Sequence, residues 1–280
     1  MKSGMAAIAV FASLAIASTF APAARASSTP AGNDISYPQC GATLPSGRAF
    51  GIVAVNDGLA NTSNPCLAAE IAWAKASAGG TSQPKAALYV NTANPGSRKV
   101  ADWPSNNKAD GTGHHVNDPY GICAGQYNQA CAWQYGWNLA YKDARTSGIS
   151  YSGRYLWWLD VETINSWQSS APDNRADLEG MTTYFRGIGG TVGIYSTIKQ
   201  WGPITGTIGS ASPLYRLPDW IPGAKTLAQA KKNCRLASLT GGGTVTVTQW
   251  APPPPASSTP GAPPPANNDF SCIPPKAKAK

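Results

Sequence analysis

Two carboxylic acids stand two positions apart in a stretch that is otherwise aromatic, aliphatic and β-branched. The stretch covers residues 155–163, and the acids are Asp160 and Glu162. Its composition predicts a buried β-strand, and side chains two positions apart on a strand point to the same face. Burying a carboxylate costs free energy unless something pairs with it or uses it, so the pattern indicates acid–base chemistry. The alternative is a strand end whose two acids already lie in solvent.

The elements around this stretch alternate between apolar strands and amphipathic helices. Besides 155–163, strands are predicted at 33–37, 50–56, 86–91, 191–196, 214–220, 235–239 and 244–250. Helices are predicted at 66–78, 128–146, about 173–186, 198–201 and 227–232. This alternation favours an α/β fold, and the count of eight strands predicts a TIM-type (β/α)8 barrel, irregular in strands six to eight. Such barrels hold their sites at the carboxyl ends of the strands, where Asp160 and Glu162 fall.

The two ends of the chain differ in composition from this body. Residues 1–26 read as a secretory signal, with Lys2, an apolar run at 6–20 and an Ala24-Arg25-Ala26 cleavage site. The barrel is assigned to residues 27–250, and residues 251–280 to a Pro-rich loop and a basic tail. No other apolar run approaches the length of a membrane span. We therefore expect an exported, soluble protein, either extracellular or associated with the cell wall.

The chain contains six cysteines, which fits an oxidising compartment. None forms a C-x-x-C pair, so the sequence argues against zinc-ribbon and thioredoxin-like sites. Six cysteines allow 15 connectivities. We predict that neighbours along the chain pair, with the last bond tethering the tail to the body: Cys40–Cys66, Cys123–Cys131 and Cys234–Cys272.

The formal net charge of +8 predicts association with anionic polymers such as cell-wall polysaccharide. No nucleic-acid-binding motif is present. The two histidines, His114 and His115, lie in a Gly- and Pro-rich excursion at 92–126, with Asp110 and Asp118 nearby. They could form a metal site, or they could belong to a solvated loop, and the sequence favours the loop because no helix sets their spacing.

Three short motifs resemble those of family 25 glycoside hydrolases. They are Asp34-Ile35-Ser36, Leu159-Asp160-Val161-Glu162 and Gly193-Ile194-Tyr195-Ser196, and Gln249-Trp250 with the later Asp269 is similar to the closing pattern of that family. Those enzymes are secreted lysozymes that cleave the β-1,4 bond between N-acetylmuramic acid and N-acetylglucosamine. The chain also resembles exported bacterial proteins grouped as glycoside-hydrolase-like β/α barrels. Family 18 barrels use D-x-D-x-E, and Trp158 at its first position argues against that family.

The resemblance implies a role for each matching residue. Glu162 would be the general acid, and Asp160 would assist the N-acetyl group of the substrate or stabilise the cationic transition state. The substrate-binding residues would be Asp34, Tyr195, Asp269, Trp250 and Gln249. The resemblance implies a peptidoglycan-type polysaccharide as substrate. We also expect no cofactor, no metal and a monomer. A non-catalytic wall-binding protein on the same barrel is the alternative function.

Overall fold

The protein folds into a closed eight-stranded barrel surrounded by helices. The computed structural model describes residues 31–98, 100–109, 112–251 and 263–274. The strands are β1 Ala31–Ile35, β2 Gly51–Ala54, β3 Ala86–Asn91, β4 Leu156–Asp160, β5 Thr191–Tyr195, β6 Asp219–Ala224, β7 Val245–Trp250 and β8 Asn267–Ser271. The helices are α1 Leu67–Lys75, α2 Gln129–Asp143, α3 Ala171–Gly187, α4 Ile198–Thr205 and α5 Leu227–Asn233. The predicted (β/α)8-type barrel is confirmed.

Strands β1 to β7 run parallel to their neighbours, and β8 closes the barrel by pairing antiparallel with both β7 and β1. The predictions for the last three strands were therefore wrong in part. Strand six begins at Asp219 rather than 214, residues 235–239 form turns, and the strand predicted as the eighth is β7. Residues 235–239 do not form a strand because their apolar residues do not share one buried face. Leu236, for example, is half-exposed, whereas Leu239 is buried.

The eighth strand lies beyond the boundary drawn at residue 250. Its sequence, NNDFS, is polar and has weak strand propensity, so composition does not reveal it. Hydrogen bonding on both edges, to β1 and to β7, makes it a strand regardless of propensity. The barrel domain therefore includes residues 267–271.

All three predicted disulfides are present: Cys40–Cys66, Cys123–Cys131 and Cys234–Cys272. The last of them joins the turn after α5 to the residue that follows β8, so it fixes the closing strand covalently to the body. The predicted signal at 1–26 and the basic tail from residue 276 lie outside the described residues. Within the described ranges no helix has the length and apolar character needed to cross a membrane.

The barrel interior is filled by aromatic core side chains, chiefly Trp158 and Trp220, which are both fully or almost fully buried. Their rings meet edge to face with centroids 5.7 Å apart. Gly193 is the β5 partner of Trp158 in the sheet, and a Cβ there would lie 2.3 Å from the Trp158 ring. A glycine at this position is therefore what allows so large a side chain to fill the barrel.

Helices α2 and α3 pack at close range because glycines lie where they cross. A Cβ added at Gly180 would lie 2.0 Å from the Trp133 carbonyl oxygen, and one at Gly136 would lie 2.0 Å from the Asp177 carbonyl oxygen. Neither neighbour is a flexible side chain that could move aside. Trp137 and Tyr184 complete the contact edge to face, with ring centroids 4.8 Å apart.

We predict that Gly180→Ala lowers the free energy of unfolding by roughly 1–3 kcal/mol, because the new methyl group forces the two helices apart. Gly187→Ala is the matched control at the end of the same helix, where a Cβ meets nothing within 4 Å. There the change should be neutral or stabilising by up to about 1 kcal/mol through helix propensity. Thermal and urea unfolding of the two variants measures the difference, and equal stabilities would contradict the packing described.

Candidate active site

A cavity of about 110 Å³ opens on the barrel axis at the carboxyl ends of the parallel strands. Seven of the eight strands contribute to its lining, which only an axial position allows. The residues are Asp34 from β1, Tyr89 from β3, Asp160 from β4, Tyr195 from β5, Trp220 from β6, Gln249 from β7 and Asn267 from β8, together with Glu162 just after β4. The predicted placement of Asp160 and Glu162 on one face is confirmed.

Asp160 is the last residue of β4 and only 6% exposed. Asn91 Nδ2 donates to its Oδ2 at 3.1 Å, while its Oδ1 has no hydrogen-bond partner among the described residues. Burial, and then the charges of Glu162 and Asp34, raise the pKa of Asp160 well above its usual range. This side chain therefore holds a proton at a pH where an exposed aspartate has lost it.

Glu162 lies two residues further on, half-buried at the mouth of the cavity. The backbone around it is anchored, since Trp167 Nε1 donates to the Glu162 carbonyl oxygen at 2.8 Å and Ser196 Oγ donates to the Val161 carbonyl oxygen at 2.6 Å. The carboxylate itself accepts one long bond of 3.5 Å, from Gln200 Nε2. Its position is thus set mainly through the backbone, which leaves the carboxyl group accessible.

Asp34 lies across the cavity and is held by two amide side chains. Gln249 Nε2 donates to its Oδ2 at 2.9 Å and Asn267 Nδ2 donates to its Oδ1 at 3.1 Å. Gln249 in turn accepts from the Tyr195 hydroxyl at 3.2 Å. Burial raises the pKa of Asp34, although these amide bonds act in the opposite direction. Asp34, Tyr195 and Gln249 are thus joined by hydrogen bonds into one wall of the cavity.

Asp269 lies below the cavity rather than on its surface. Because β8 runs antiparallel, Asp269 is deeper than Asn267, where it is fully buried and accepts a 2.9 Å bond from Trp220 Nε1. The carboxyl group of Asp34 is close enough to affect that of Asp269. Burial and the charge of Asp34 raise the pKa of Asp269 well above its usual range. Direct contact between Asp269 and a ligand in the cavity is therefore blocked by Asp34 and Trp220.

The structure does not bring Trp250 to the cavity either. It follows Gln249 on β7, and successive side chains of a strand point to opposite faces. Since Gln249 lines the cavity, half-buried Trp250 is directed away from it. The predictions of substrate contact for Trp250 and Asp269 are corrected accordingly.

Sequence reasoning missed Tyr89, Trp220 and Asn267 on the cavity wall and Asn91 behind Asp160. A signal for Asn91 exists, because a polar amide at the end of the apolar segment 86–91 is unusual for a buried strand. Tyr89 lies two positions before it and therefore on the same face. No comparable signal marks Asn267, which lies on the strand that composition did not reveal.

The alternative metal site is not assembled in the described part of the chain. His114 and His115 are both exposed, and the described residues include no group of three or more potential metal ligands. Asp110 lies outside the described residues. Asp118 is engaged locally, accepting from Asn107 Nδ2 at 3.1 Å and from the Tyr120 backbone N–H at 2.8 Å.

Comparison with known proteins finds similarity to lysozyme-like proteins. Residues 123–220 match the family model described as Lysozyme-like protein 1, Lys-1. A 68-residue segment is 35% identical to "Probable GH family 25 lysozyme 4" of Dictyostelium discoideum, covering 23% of this chain and 32% of that protein. The chain thus matches about a third of the length of this curated relative.

A solved structure, the spore cortex lytic enzyme SleM of Clostridium perfringens, aligns with a TM-score of 0.48 and 10% identity over 86% of this chain and 66% of that one. The segment that matches the family model contains β4 and β5, with Asp160, Glu162 and Tyr195. The resemblance that the sequence motifs predicted is therefore confirmed: the chain is similar to the lysozymes of glycoside hydrolase family 25 and has a (β/α)8-type barrel.

Proposed function

We propose that this protein is a glycosidase that hydrolyses β-1,4 bonds in peptidoglycan or a related amino-sugar polymer. The observation that carries the proposal is the meeting of Glu162 and Asp160 on one cavity at the carboxyl end of β4. Glycoside cleavage needs one carboxyl group that gives a proton to the leaving oxygen and a second polar group that faces the developing positive charge. The similarity to family 25 lysozymes supports the choice of substrate.

Glu162 is proposed as the general acid, because it lies at the mouth, where the glycosidic oxygen of a bound polymer would pass. Its carboxyl proton moves to that oxygen as the bond to the anomeric carbon breaks. Asp160 lies deeper in the cavity and is proposed to face the sugar ring. Positive charge that develops on the ring favours the ionised form of Asp160, whose proton passes to a water molecule in the cavity. A second water then adds to the anomeric carbon and gives its proton to the Glu162 carboxylate, which restores the acid.

Asp34, Tyr195 and Gln249 are proposed to bind the sugar that enters the cavity, and Asp269 is proposed to hold Asp34 in place. Export to the cell exterior or cell wall is part of the same proposal. Three disulfides are typical of oxidising compartments, and the net charge, which falls from +8 to +6 when Lys2 and Arg25 leave with the signal, favours contact with anionic wall polymers. We propose a monomer that acts without a cofactor.

Replacing the proposed acid tests the assignment directly. We expect Glu162→Gln to lower the rate of turbidity loss of purified wall sacculi by about 10²–10⁴-fold, because a carboxamide cannot supply the proton. Binding to the sacculi should persist, since the side chain keeps its size. Asp57→Asn is the matched control, because Asp57 is an exposed acid that follows β2 at the same end of the barrel and does not line the cavity.

The outcome also separates the hydrolase from a wall-binding protein on the same barrel. If the wild type releases no reducing ends from sacculi or from a chitin-type polymer but still binds them, the hydrolase proposal fails and the binding function remains. If a chelator removes the activity, the acid–base assignment fails instead.

The buried proton of Asp160 predicts a characteristic dependence of stability on pH. The folded state keeps this proton to a higher pH than the unfolded chain, whose aspartates titrate near about 4. The free energy of unfolding therefore falls as pH rises above that range. Asp160→Asn removes this cost, so the variant should match the wild type near pH 4 and become more stable than the wild type as the pH rises towards 7.

Urea unfolding across this pH range measures the difference between the two proteins. The same variant should have lost sacculus lysis, so that a gain in stability accompanies a loss of function. Stability curves that run parallel from pH 4 to pH 8 would show that Asp160 does not hold its proton in the folded state.

A further inference from the structure

Asn91, Asn56 and Asp143 form a chain of hydrogen bonds that ends on the carboxyl group of Asp160. Asn91 Nδ2 donates to Asp160 Oδ2 at 3.1 Å, and the Asn91 backbone N–H donates to Asn56 Oδ1 at 2.8 Å. Asn56 Nδ2 donates in turn to Asp143 Oδ1 at 2.9 Å. The chain therefore runs from β4 through the end of β3 and the segment after β2 to Asp143, the last residue of α2.

The side-chain amide of Asn56 is held in one orientation by this chain. Its Nδ2 faces two acceptors, Asp143 Oδ1 and the Thr62 carbonyl oxygen at 3.0 Å, while its Oδ1 faces a donor, the Asn91 N–H. Turning the amide over would place oxygen against oxygen and N–H against N–H. Because Asn56 is buried, bulk water does not replace a partner that is lost. The position of the Asn91 backbone thus depends on Asn56.

Asp143 is a buried carboxyl group that takes no part in the proposed reaction. Burial raises its pKa to about 8, although the bond from Asn56 and the charge of Lys142 act in the opposite direction. Its Oδ2 has no hydrogen-bond partner among the described residues, and its Oδ1 accepts from Asn56. Burying such a group costs free energy. What Asp143 contributes to the structure is therefore an acceptor for the Asn56 amide.

The other end of the chain acts on the carboxyl group of Asp160 rather than on its backbone. The Asp160 carbonyl oxygen has separate donors, Thr92 Oγ1 at 2.6 Å and Asn165 Nδ2 at 3.2 Å. Asn91 is the partner of Asp160 in the register of β3 and β4, so a shift at the end of β3 moves the amide away from the carboxyl group. An N–H donor stabilises a carboxylate more than a neutral carboxyl group. The Asn91 amide thus favours the ionised form that the proposed reaction requires.

We propose that Asn56 and Asp143 are positioning residues for Asp160. Asp143 fixes the amide of Asn56, Asn56 fixes the end of β3, and the Asn91 amide is thereby kept on the Asp160 carboxyl group. Neither Asn56 nor Asp143 lines the cavity, so both act through Asn91. The inference rests on the proposed function, because it explains how the ionised form of Asp160 is supported while positive charge develops on the substrate.

Two substitutions at Asp143 separate the acceptor from the carboxyl charge. Asp143→Leu keeps a similar shape and removes the acceptor, whereas Asp143→Asn keeps an acceptor oxygen for Asn56 and removes the charge. We expect Asp143→Leu to slow sacculus lysis roughly tenfold, as for the loss of one hydrogen bond to an ionised group. Asp143→Asn should retain most of the wild-type rate, because the carboxamide still orients Asn56.

The titration of Asp160 provides a readout that a purely structural role would leave unchanged. It is followed by NMR of ¹³C-labelled aspartate carboxyl groups, with the Asp160 signal assigned by its absence from Asp160→Asn. We expect Asp160 to titrate at higher pH in Asp143→Leu than in the wild type, because the donor to its ionised form is displaced. Loss of the Asp143 charge alone would move the titration to lower pH. In Asp143→Asn it should therefore not rise.

The other ionisable groups that act on the two acids are the same in all of these variants. Those that act on Asp160 lie on β1, β3 and β5 and just after β4: Asp34, Tyr89, Tyr195 and Glu162. Those that act on or respond to Asp143 are its neighbours Lys142 and Tyr135 on α2. A difference in the Asp160 titration therefore reports on the hydrogen-bond chain.

Asp219→Leu is the matched control, because Asp219 is another buried acid with one unpartnered oxygen among the described residues. Its second oxygen accepts from the Leu239 N–H at 3.0 Å, at the amino end of β6. This variant should lose stability and leave the Asp160 titration unchanged. Asn56→Ala tests the chain at a second point, since it removes the acceptor of the Asn91 N–H, and it should move the titration to higher pH as Asp143→Leu does.

The NMR titration needs no substrate, so failure of this inference can be told from failure of the proposed function. Lysis by the wild type with an Asp160 titration that neither Asp143→Leu nor Asn56→Ala changes rejects the positioning role and keeps the hydrolase. A shift to higher pH in a protein that does not lyse sacculi rejects the hydrolase and keeps the chain as a support of Asp160. Equal shifts in Asp143→Leu and Asp143→Asn, or a shift without slower lysis, would overturn the positioning proposal.

Discussion

Burial of carboxyl groups at one end of the barrel is the constraint that shapes the surrounding structure. Asp34, Asp160 and Asp269 are all almost or fully buried, and no described cation lies among the residues that contact them. These carboxyl groups are stabilised instead by hydrogen bonds from amide and indole groups and by the protons that they retain. The amides of Asn91, Gln249 and Asn267 and the indole of Trp220 serve this purpose.

This arrangement explains why the barrel closes with an antiparallel strand of polar sequence. If β8 ran parallel to its neighbours, Asp269 would lie nearer the cavity than Asn267. With β8 antiparallel, Asn267 reaches the cavity and Asp269 lies beneath it, next to Asp34 and within reach of the Trp220 indole. The low strand propensity of NNDFS is therefore offset by the side-chain bonds that its polar residues make. The Cys234–Cys272 disulfide then holds the strand where those bonds form.

The features that could be predicted from the sequence are those encoded within one short segment. Apolar stretches separated by amphipathic helices indicated β1 to β5, and the alternation within 155–163 placed Asp160 and Glu162 together. What escaped prediction depends on contacts between distant segments. Asn267 and Asp34 are 233 residues apart and meet only because the barrel closes. Trp250 was misplaced for a simpler reason, since the face of a strand residue follows from register, which its type does not reveal.

A buried carboxyl group does not by itself mark a site, as Asp177 on α3 shows. It is fully buried, neither of its oxygens has a hydrogen-bond partner among the described residues, and burial raises its pKa well above the usual range. Yet it lies in the tight contact between α2 and α3, where a Cβ on Gly136 would come within 2.8 Å of its Oδ1. No ligand could reach it there.

Asp160 shares the burial and the raised pKa of Asp177 and differs in what lies beside it. Its side chain lines a cavity, which half-buried Glu162 also lines. An unsatisfied buried oxygen lowers stability in either setting. A ligand in the cavity can approach the side chain of Asp160, whereas none can approach that of Asp177. Access therefore separates the proposed functional acid from the structural one.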